Sequence, residues 1–193
     1  RQYNFDTAKY DLIRTFSGFR HFLDWERIEP EKGIYRFNHK PEGGWSYDEI
    51  YQKLHGDNIT LVLDLQVTPS WLIDTYPENR RQRDLPPVAY GANRSLPASY
   101  IDIARAGFQI AARYGSNKKI DRKLLMVPKE SEDPVIGLGY LKYVESSNEP
   151  DKWWKGKETP GYFTLSATDS SANPKFIKSE MIYTPSSYFN KDI

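Results

Sequence analysis

Gly139–Gly156 reads GYLKYVESSNEPDKWWKG, and the rest of the chain is organised around it. The run Tyr140-Leu141-Lys142-Tyr143-Val144 is rich in strand-forming residues and leads into Asn148-Glu149. Pro150 then stops it, because proline has no N–H to extend a strand ladder. The spacing predicts a carboxylate just past the carboxyl end of a strand. In an α/β barrel the βα loops gather at that end and carry the chemistry. Asn148 offers an amide donor and acceptor beside the Glu149 acid, and Trp153 and Trp154 follow as flat apolar surfaces. A sugar site requires that combination: an acid, a polar amide and aromatic faces.

Asn148-Glu149-Pro150 at a strand end, followed by an aromatic loop, resembles the fourth-strand signature of the clan A glycoside hydrolases. A second block agrees. Phe19 to Phe37 reads FRHFLDWERIEPEKGIYRF and looks like the clan's second strand and the turn after it, with Arg, Trp, Glu-Pro, Gly and Tyr/Phe at the usual spacing. The β-xylosidase and iduronidase-like branch is the nearest in character. The resemblance covers roughly Gly18 to Gly156 and implies a (β/α)8 TIM barrel. It also implies that Glu149 is the general acid/base, that Asn148 binds the sugar 2-hydroxyl and that Arg20 lies near the nucleophile. An arginine structurally paired with a carboxylate is the other reading of Arg20.

The chain has 193 residues, which is room for one domain with a substantial core. A full (β/α)8 barrel usually needs about 250 residues and at least about 200. The expectation is therefore one catalytic domain, residues 1–193, covering mainly the first half of a barrel. Lysine and arginine number 27 against 26 aspartates and glutamates, so no overall field draws nucleic acid or an anionic membrane. No apolar run approaches 18 residues, which removes a spanning helix from the expectations. No apolar segment of signal-peptide type follows Arg1-Gln2-Tyr3-Asn4. Cysteine is absent, so disulfides and thiolate ligands are excluded and either redox compartment suits the chain. Asn58-Ile59-Thr60 and Asn93-Arg94-Ser95 match the glycosylation triplet, a pattern common by chance. Aromatic residues reach 15 %, with 14 tyrosines, suiting sugar rings as well as ordinary packing.

Along the chain, Tyr10 to Phe16 reads as the end of a short helix closed near Gly18, with no strand before it. Phe19 to Trp25 alternates, with Arg20, Phe22 and Asp24 on one face and Phe19, His21 and Leu23 on the other. Ser46 and Glu49 form a capping-box signal for a helix that Gly56 closes. Thr60 to Leu65 is a buried strand, and Trp71 in the loop after it is a candidate for lining a sugar subsite. Tyr76 to Arg94 carries three prolines and several arginines without periodicity, so a long βα loop is expected. Arg80, Arg81 and Arg83 read as a solvated face rather than an anion site. Pro97 to Tyr114 is the strongest helix, its sheet-facing stripe read as Tyr100, Ala104, Gly107, Phe108 and Ala111, with Gly115 as the stop. Ile120 to Gly137 is an irregular insertion.

The last segment departs from the family pattern. A clan A barrel needs four more strands after Trp154, and residues 155–193 cannot supply them. Pro174 to Tyr183 nevertheless looks like the clan's seventh strand, which by resemblance makes Glu180 the nucleophile. The Glu149-to-Glu180 spacing suits about one βαβ unit of roughly 30 residues. Either the chain is a truncated or discontinuous barrel, with residues lost between about Phe163 and Asn173, or the likeness at Glu180 is accidental.

Other chemistries lack their patterns. His21, His39 and His55 have no metal-ligand spacing, and the phosphate-cradling glycine loops and the Gly-x-Ser-x-Gly elbow are absent. The expectation is a retaining glycoside hydrolase acting on an oligo- or polysaccharide. Glu149 and Glu180 would be catalytic, Asn148, Arg20, Trp71, Trp153 and Trp154 substrate-binding, and no metal or cofactor is needed. The partner would be a carbohydrate, not nucleic acid, and the setting extracellular or periplasmic. The alternative is a carbohydrate-binding or degenerate barrel that has lost its nucleophile.

Overall fold

The computed structural model describes residues 6–81, 83, 85–129 and 132–145. Asn148, Glu149, Trp153, Trp154 and Glu180 lie outside the described residues, as does the stretch from Phe163 to Asn173. The first described element is helix α1 (Thr7–Ile13), whose first turn is capped by the Asp6 carboxylate accepting from the Lys9 N–H at 3.1 Å. Strand β1 (Gly18–Asp24) follows and runs directly into the one-turn helix α2 (Trp25–Ile28). Helix α3 (Tyr47–Gly56) leads to strand β2 (Thr60–Gln66) and the short helix α4 (Ser70–Ile73). A long loop then reaches helix α5 (Ile101–Tyr114), and an irregular passage returns to strand β3 (Leu141–Glu145).

The three strands form a parallel sheet in chain order, β1-β2-β3. Gly18 pairs with Thr60 and Asp24 with Gln66, while Asp64 stands opposite Glu145. Parallel neighbours cannot be joined by a hairpin, and α3 and α5 lie within the two crossovers. Such a sheet is common to consecutive βα units of a barrel and to open α/β sheets.

Alternation along each strand decides which face meets the helices. Leu23, Leu61, Leu63 and Leu65 are buried with Tyr47, Tyr51 and Leu54 of α3 and with Ala106, Ile110 and Tyr114 of α5. Each leucine so buried contributes roughly 1.5–3 kcal/mol. Tyr51 and Tyr114 meet edge to face at 4.9 Å, locking the two helices over one face. The other face carries Arg20, Phe22 and Tyr143, with Phe22 46 % and Tyr143 57 % exposed, so among the described residues it is open. Parallel sheets are ordinarily covered on both faces.

Ser46 caps α3, its hydroxyl accepting from the Glu49 N–H at 3.4 Å, while the Glu49 carboxylate pairs with Lys40. Gly56 is the last helical residue of α3, not its stop; the left-handed turn falls two residues later at Asn58, with φ 58°. Asparagine tolerates that region because its short side chain bonds locally. Helix α5 buries a different stripe from the one its sequence suggests. Ala106, Gln109, Ile110, Arg113 and Tyr114 are inside, while Ala104, Phe108 and Ala111 are exposed.

Arg113 lies on the buried stripe of α5. Its guanidinium grips Asp48 through two bonds of 2.8 and 2.6 Å and lies 3.3 Å from Glu132. Glu132 in turn accepts the Phe37 and Asn38 N–H groups at 3.0 and 2.7 Å. The passage from 132 to 139 then closes α5, because the Gly137, Leu138 and Gly139 N–H groups donate to the carbonyls of Ala112, Arg113 and Gly115. The first two of these carbonyls are among those that a helix end leaves without partners. Gly137 has φ +66°, and a Cβ there would lie 2.7 Å from Lys118 Cγ.

Candidate functional site

All three strands point their carboxyl ends the same way, so β1, β2 and β3 deliver Asp24, Gln66 and Glu145 to one end of the sheet. On the open face, Arg20 of β1 reaches across β2. Its Nη2 donates to Asp64 Oδ2 at 3.0 Å and its Nε to Glu145 Oε2 at 2.5 Å. One guanidinium therefore ties all three strands together. The Asp64 side chain is fully buried, whereas that of Glu145 is 42 % exposed. The carboxylate-paired reading of Arg20 is thus what the described residues show.

Beyond the strand ends, α2 and α4 are joined by Glu26. Its carboxylate accepts from both the N–H and the hydroxyl of Ser70, the latter at 2.8 Å, and its own N–H donates to the Val67 carbonyl at 3.3 Å. Val67 has φ 66°, a conformation that β-branched residues avoid. Such strain persists only where surrounding contacts fix it, and it concentrates near functional loops. The turn after β2 is thereby held in one shape.

Behind these loops sits a buried carboxylate, Glu29, that is 3 % exposed. It accepts from Trp25 Nε1 at 2.5 Å, the Tyr35 hydroxyl at 2.6 Å and the Gly33 N–H at 2.8 Å. Burial, followed by this hydrogen bond to Glu29, pushes the Tyr35 phenol well above its ordinary range. Trp71 is partly buried beside the group, edge-on to Trp25 at 5.8 Å, with its indole N–H donating to the Glu29 carbonyl at 3.0 Å. The Lys32 ammonium lies 5.1 Å from the Trp71 ring. The Glu-Pro turn and its aromatic companions in the Phe19–Phe37 block thus build the support beneath the loops.

Of the predicted site residues, Arg20 lies on the open sheet face and Trp71 in α4. Strand β3 ends at Glu145, three positions before Asn148, and is parallel to β1 and β2, so the chain leaves it at the end where their loops emerge. Sequence reasoning passed over Asp64 and Glu145. The signal for Asp64 was there: one acid inside the apolar run Leu61-Val62-Leu63-Asp64-Leu65 needs a cationic partner. Among the described residues no group of His, Asp and Glu is arranged to hold a metal ion, and no helix is long and apolar enough to cross a membrane.

No protein-family profile matches the chain, and no solved structure matches it. A stretch of 56 residues is 36 % identical to the beta-galactosidase GanA of Bacillus subtilis (strain 168). It takes in 28 % of this chain and 7 % of GanA, so the chain spans only a small part of that protein. The similarity reaches as far as a glycoside hydrolase relationship and no further.

Proposed function

We propose that the chain forms the first half of a (β/α)8 barrel and belongs to a retaining glycoside hydrolase. The observation that carries the reading is strand β3, parallel to β2 and joined to β1 through Arg20, running out three residues before Asn148-Glu149-Pro150. The open sheet face with its Arg20–Asp64–Glu145 set agrees, because the interior of a barrel is filled by side chains from its other strands. The partial likeness to a β-galactosidase supports carbohydrate as the substrate class.

In this reading protonated Glu149 gives its proton to the leaving glycosidic oxygen while a second carboxylate attacks the anomeric carbon, forming a glycosyl-enzyme. Glu149 then takes a proton from the incoming water, which releases the sugar. Asn148 holds the 2-hydroxyl, and Glu180 is the candidate nucleophile. Two carboxylates supply acid, base and nucleophile, so the reaction calls for no cofactor.

Leaving-group dependence tests the assignment. Glu149→Gln should suppress hydrolysis of poorly activated glycosides far more than that of activated aryl glycosides, which need little protonation. Glu180→Gln should abolish both. Equal losses for good and poor leaving groups would remove Glu149 from the acid role, and full activity of Glu180→Gln would place the nucleophile elsewhere. One observation favours the second reading, a carbohydrate-binding barrel without turnover: Arg20 is already engaged by Asp64 and Glu145 rather than held ready beside a nucleophile. Sugar binding with no hydrolysis of any aryl glycoside would decide for it.

A further inference from the structure

Strand β3 does not pair with β2 residue for residue. Leu61 stands opposite Leu141 and Val62 opposite Tyr143, so Lys142 is one residue too many on the β3 side. An extra residue of this kind re-aims every side chain beyond it. Past it, Leu63 meets Val144 and Asp64 meets Glu145. Residues opposite one another in a parallel ladder point to the same face of the sheet. With uniform pairing from Leu61 and Leu141 onward, Glu145 would fall opposite Leu65, which lies in the core under the helices. The extra residue instead turns Glu145 to the open face, where Arg20 stands.

Both ends of β3 are fixed. Just before it, the Gly139 N–H donates to the Gly115 carbonyl at 3.0 Å, which ties the approach to the end of α5. At its last residue, the Glu145 carboxylate accepts from Arg20 Nε at 2.5 Å. Arg20 is held in turn, donating from Nη2 to Asp64 at 3.0 Å and lying 4.6 Å from the Phe22 ring centre. The Asp64 side chain is fully buried, so its packing holds the guanidinium in one orientation. Nε and Nη2 are donors of one rigid plane, so the place of Asp64 dictates the place of Glu145. An ion pair with one partner 42 % exposed contributes little to stability. What the bond supplies is direction.

We propose that Glu145 is a positioning residue for the reaction. Held by Arg20 and Asp64, it fixes the direction in which β3 hands the chain on to Asn148-Glu149, and through that the alignment of the Glu149 acid with the leaving oxygen. This role rests on the glycoside hydrolase reading. Glu145 touches no reacting atom and adds no step. It acts through Glu149, only four positions further along the chain, so an error at the strand end carries through to the acid. A proton donor must come within about 2.6–3.2 Å of the atom it serves, and a misplacement of about 1 Å can cost about 100-fold in rate.

The test compares dinitrophenyl with phenyl glycosides of galactose and xylose on the full chain, because the dinitrophenolate leaves with little protonation and the phenolate needs it. Glu145→Ala and Glu145→Ser should lower kcat/KM for the phenyl glycoside by about 10- to 100-fold and for the dinitrophenyl glycoside by less than about threefold. Glu145→Gln should keep the phenyl value within about threefold, because its amide oxygen still accepts from Arg20 Nε. In a Glu149→Gln background the alanine change should have no further effect on the phenyl glycoside, since no proton donor is left to align. Melting temperatures should stay within a few degrees of the parent, as expected for a half-exposed pair. Equal losses on the two leaving groups, parent-like rates in the alanine and serine variants, a glutamine variant as slow as alanine, or a further loss in the Glu149→Gln background would each overturn the positioning role and leave the hydrolase reading intact. No hydrolysis of any of these glycosides by the parent chain would overturn both.

Discussion

Replacing Glu29 should destabilise the fold more than any other single carboxylate substitution among the described residues. Its side chain accepts three hydrogen bonds inside the protein, from Trp25, Tyr35 and Gly33. In Glu29→Ala the three donors stay buried with no acceptor. Leaving a buried donor unsatisfied costs about 1–3 kcal/mol, and the bonds share one carboxylate and are not additive, so a total of about 4 kcal/mol is expected. Glu29→Gln keeps the shape and one carbonyl oxygen. With that oxygen turned towards Trp25 and Tyr35, only the Gly33 N–H meets an amide donor, and about 2 kcal/mol should be lost. Against a typical total of 5–15 kcal/mol, the alanine variant should come close to unfolding. Urea denaturation followed by tryptophan fluorescence reads this directly. With a slope of about 1–3 kcal/mol per molar, the midpoint should fall by roughly 2 M for alanine and 1 M for glutamine. A loss below about 1 kcal/mol for Glu29→Ala, or equal losses for the two variants, would refute the reasoning.

Burial lowers the His21 pKa to about 4, and its Nδ1 lies 2.6 Å from the Tyr51 hydroxyl, whose own burial keeps it protonated and donating. The unfolded state therefore binds the extra proton between about pH 6.5 and 4, so stability should fall by roughly 3 kcal/mol as pH drops through that window. His21→Gln should flatten that slope in a thermal-melt pH series, and an unchanged slope would count against it. Arg20→Met leaves the fully buried Asp64 carboxylate without its arginine and should cost about 3 kcal/mol by chemical denaturation. Arg20→Met combined with Asp64→Asn should recover much of that loss, and no recovery would show that the pair is not coupled. At Val67, φ 66° costs a β-branched residue about 1 kcal/mol, so Val67→Gly should be neutral or raise the melting temperature, although the same exchange in a strand lowers it.

The element types were legible because period and punctuation agree over β1, α3, β2 and β3. Strands alternate or run apolar, Ser46 and Glu49 announce α3, and Gly115 closes α5. The facing of α5 was not legible. Its buried stripe includes the polar Gln109 and Arg113, and the partners of Arg113, Asp48 and Glu132, are distant in sequence and meet it only in the folded chain.

The candidate site divides in the same way. Local chemistry in the sequence marked Asn148-Glu149-Pro150 and the Glu-Pro turn at Glu29-Pro30, because a strand stop and a turn depend on neighbouring residues. Sequence alone also placed Arg20, Phe22 and Asp24 on one strand face, since side chains in a strand alternate with a period of two. Only the tertiary structure decided that this face is the open one, and that Arg20 spans three strands to reach Asp64 and Glu145. It also paired Arg81 with Asp74 and Arg83 with Asp24, two of three arginines in one loop that the sequence read as a single solvated face. Charge pairing acts through space at a few ångströms, so partners far apart along the chain are fixed by strand register and loop path rather than by local pattern.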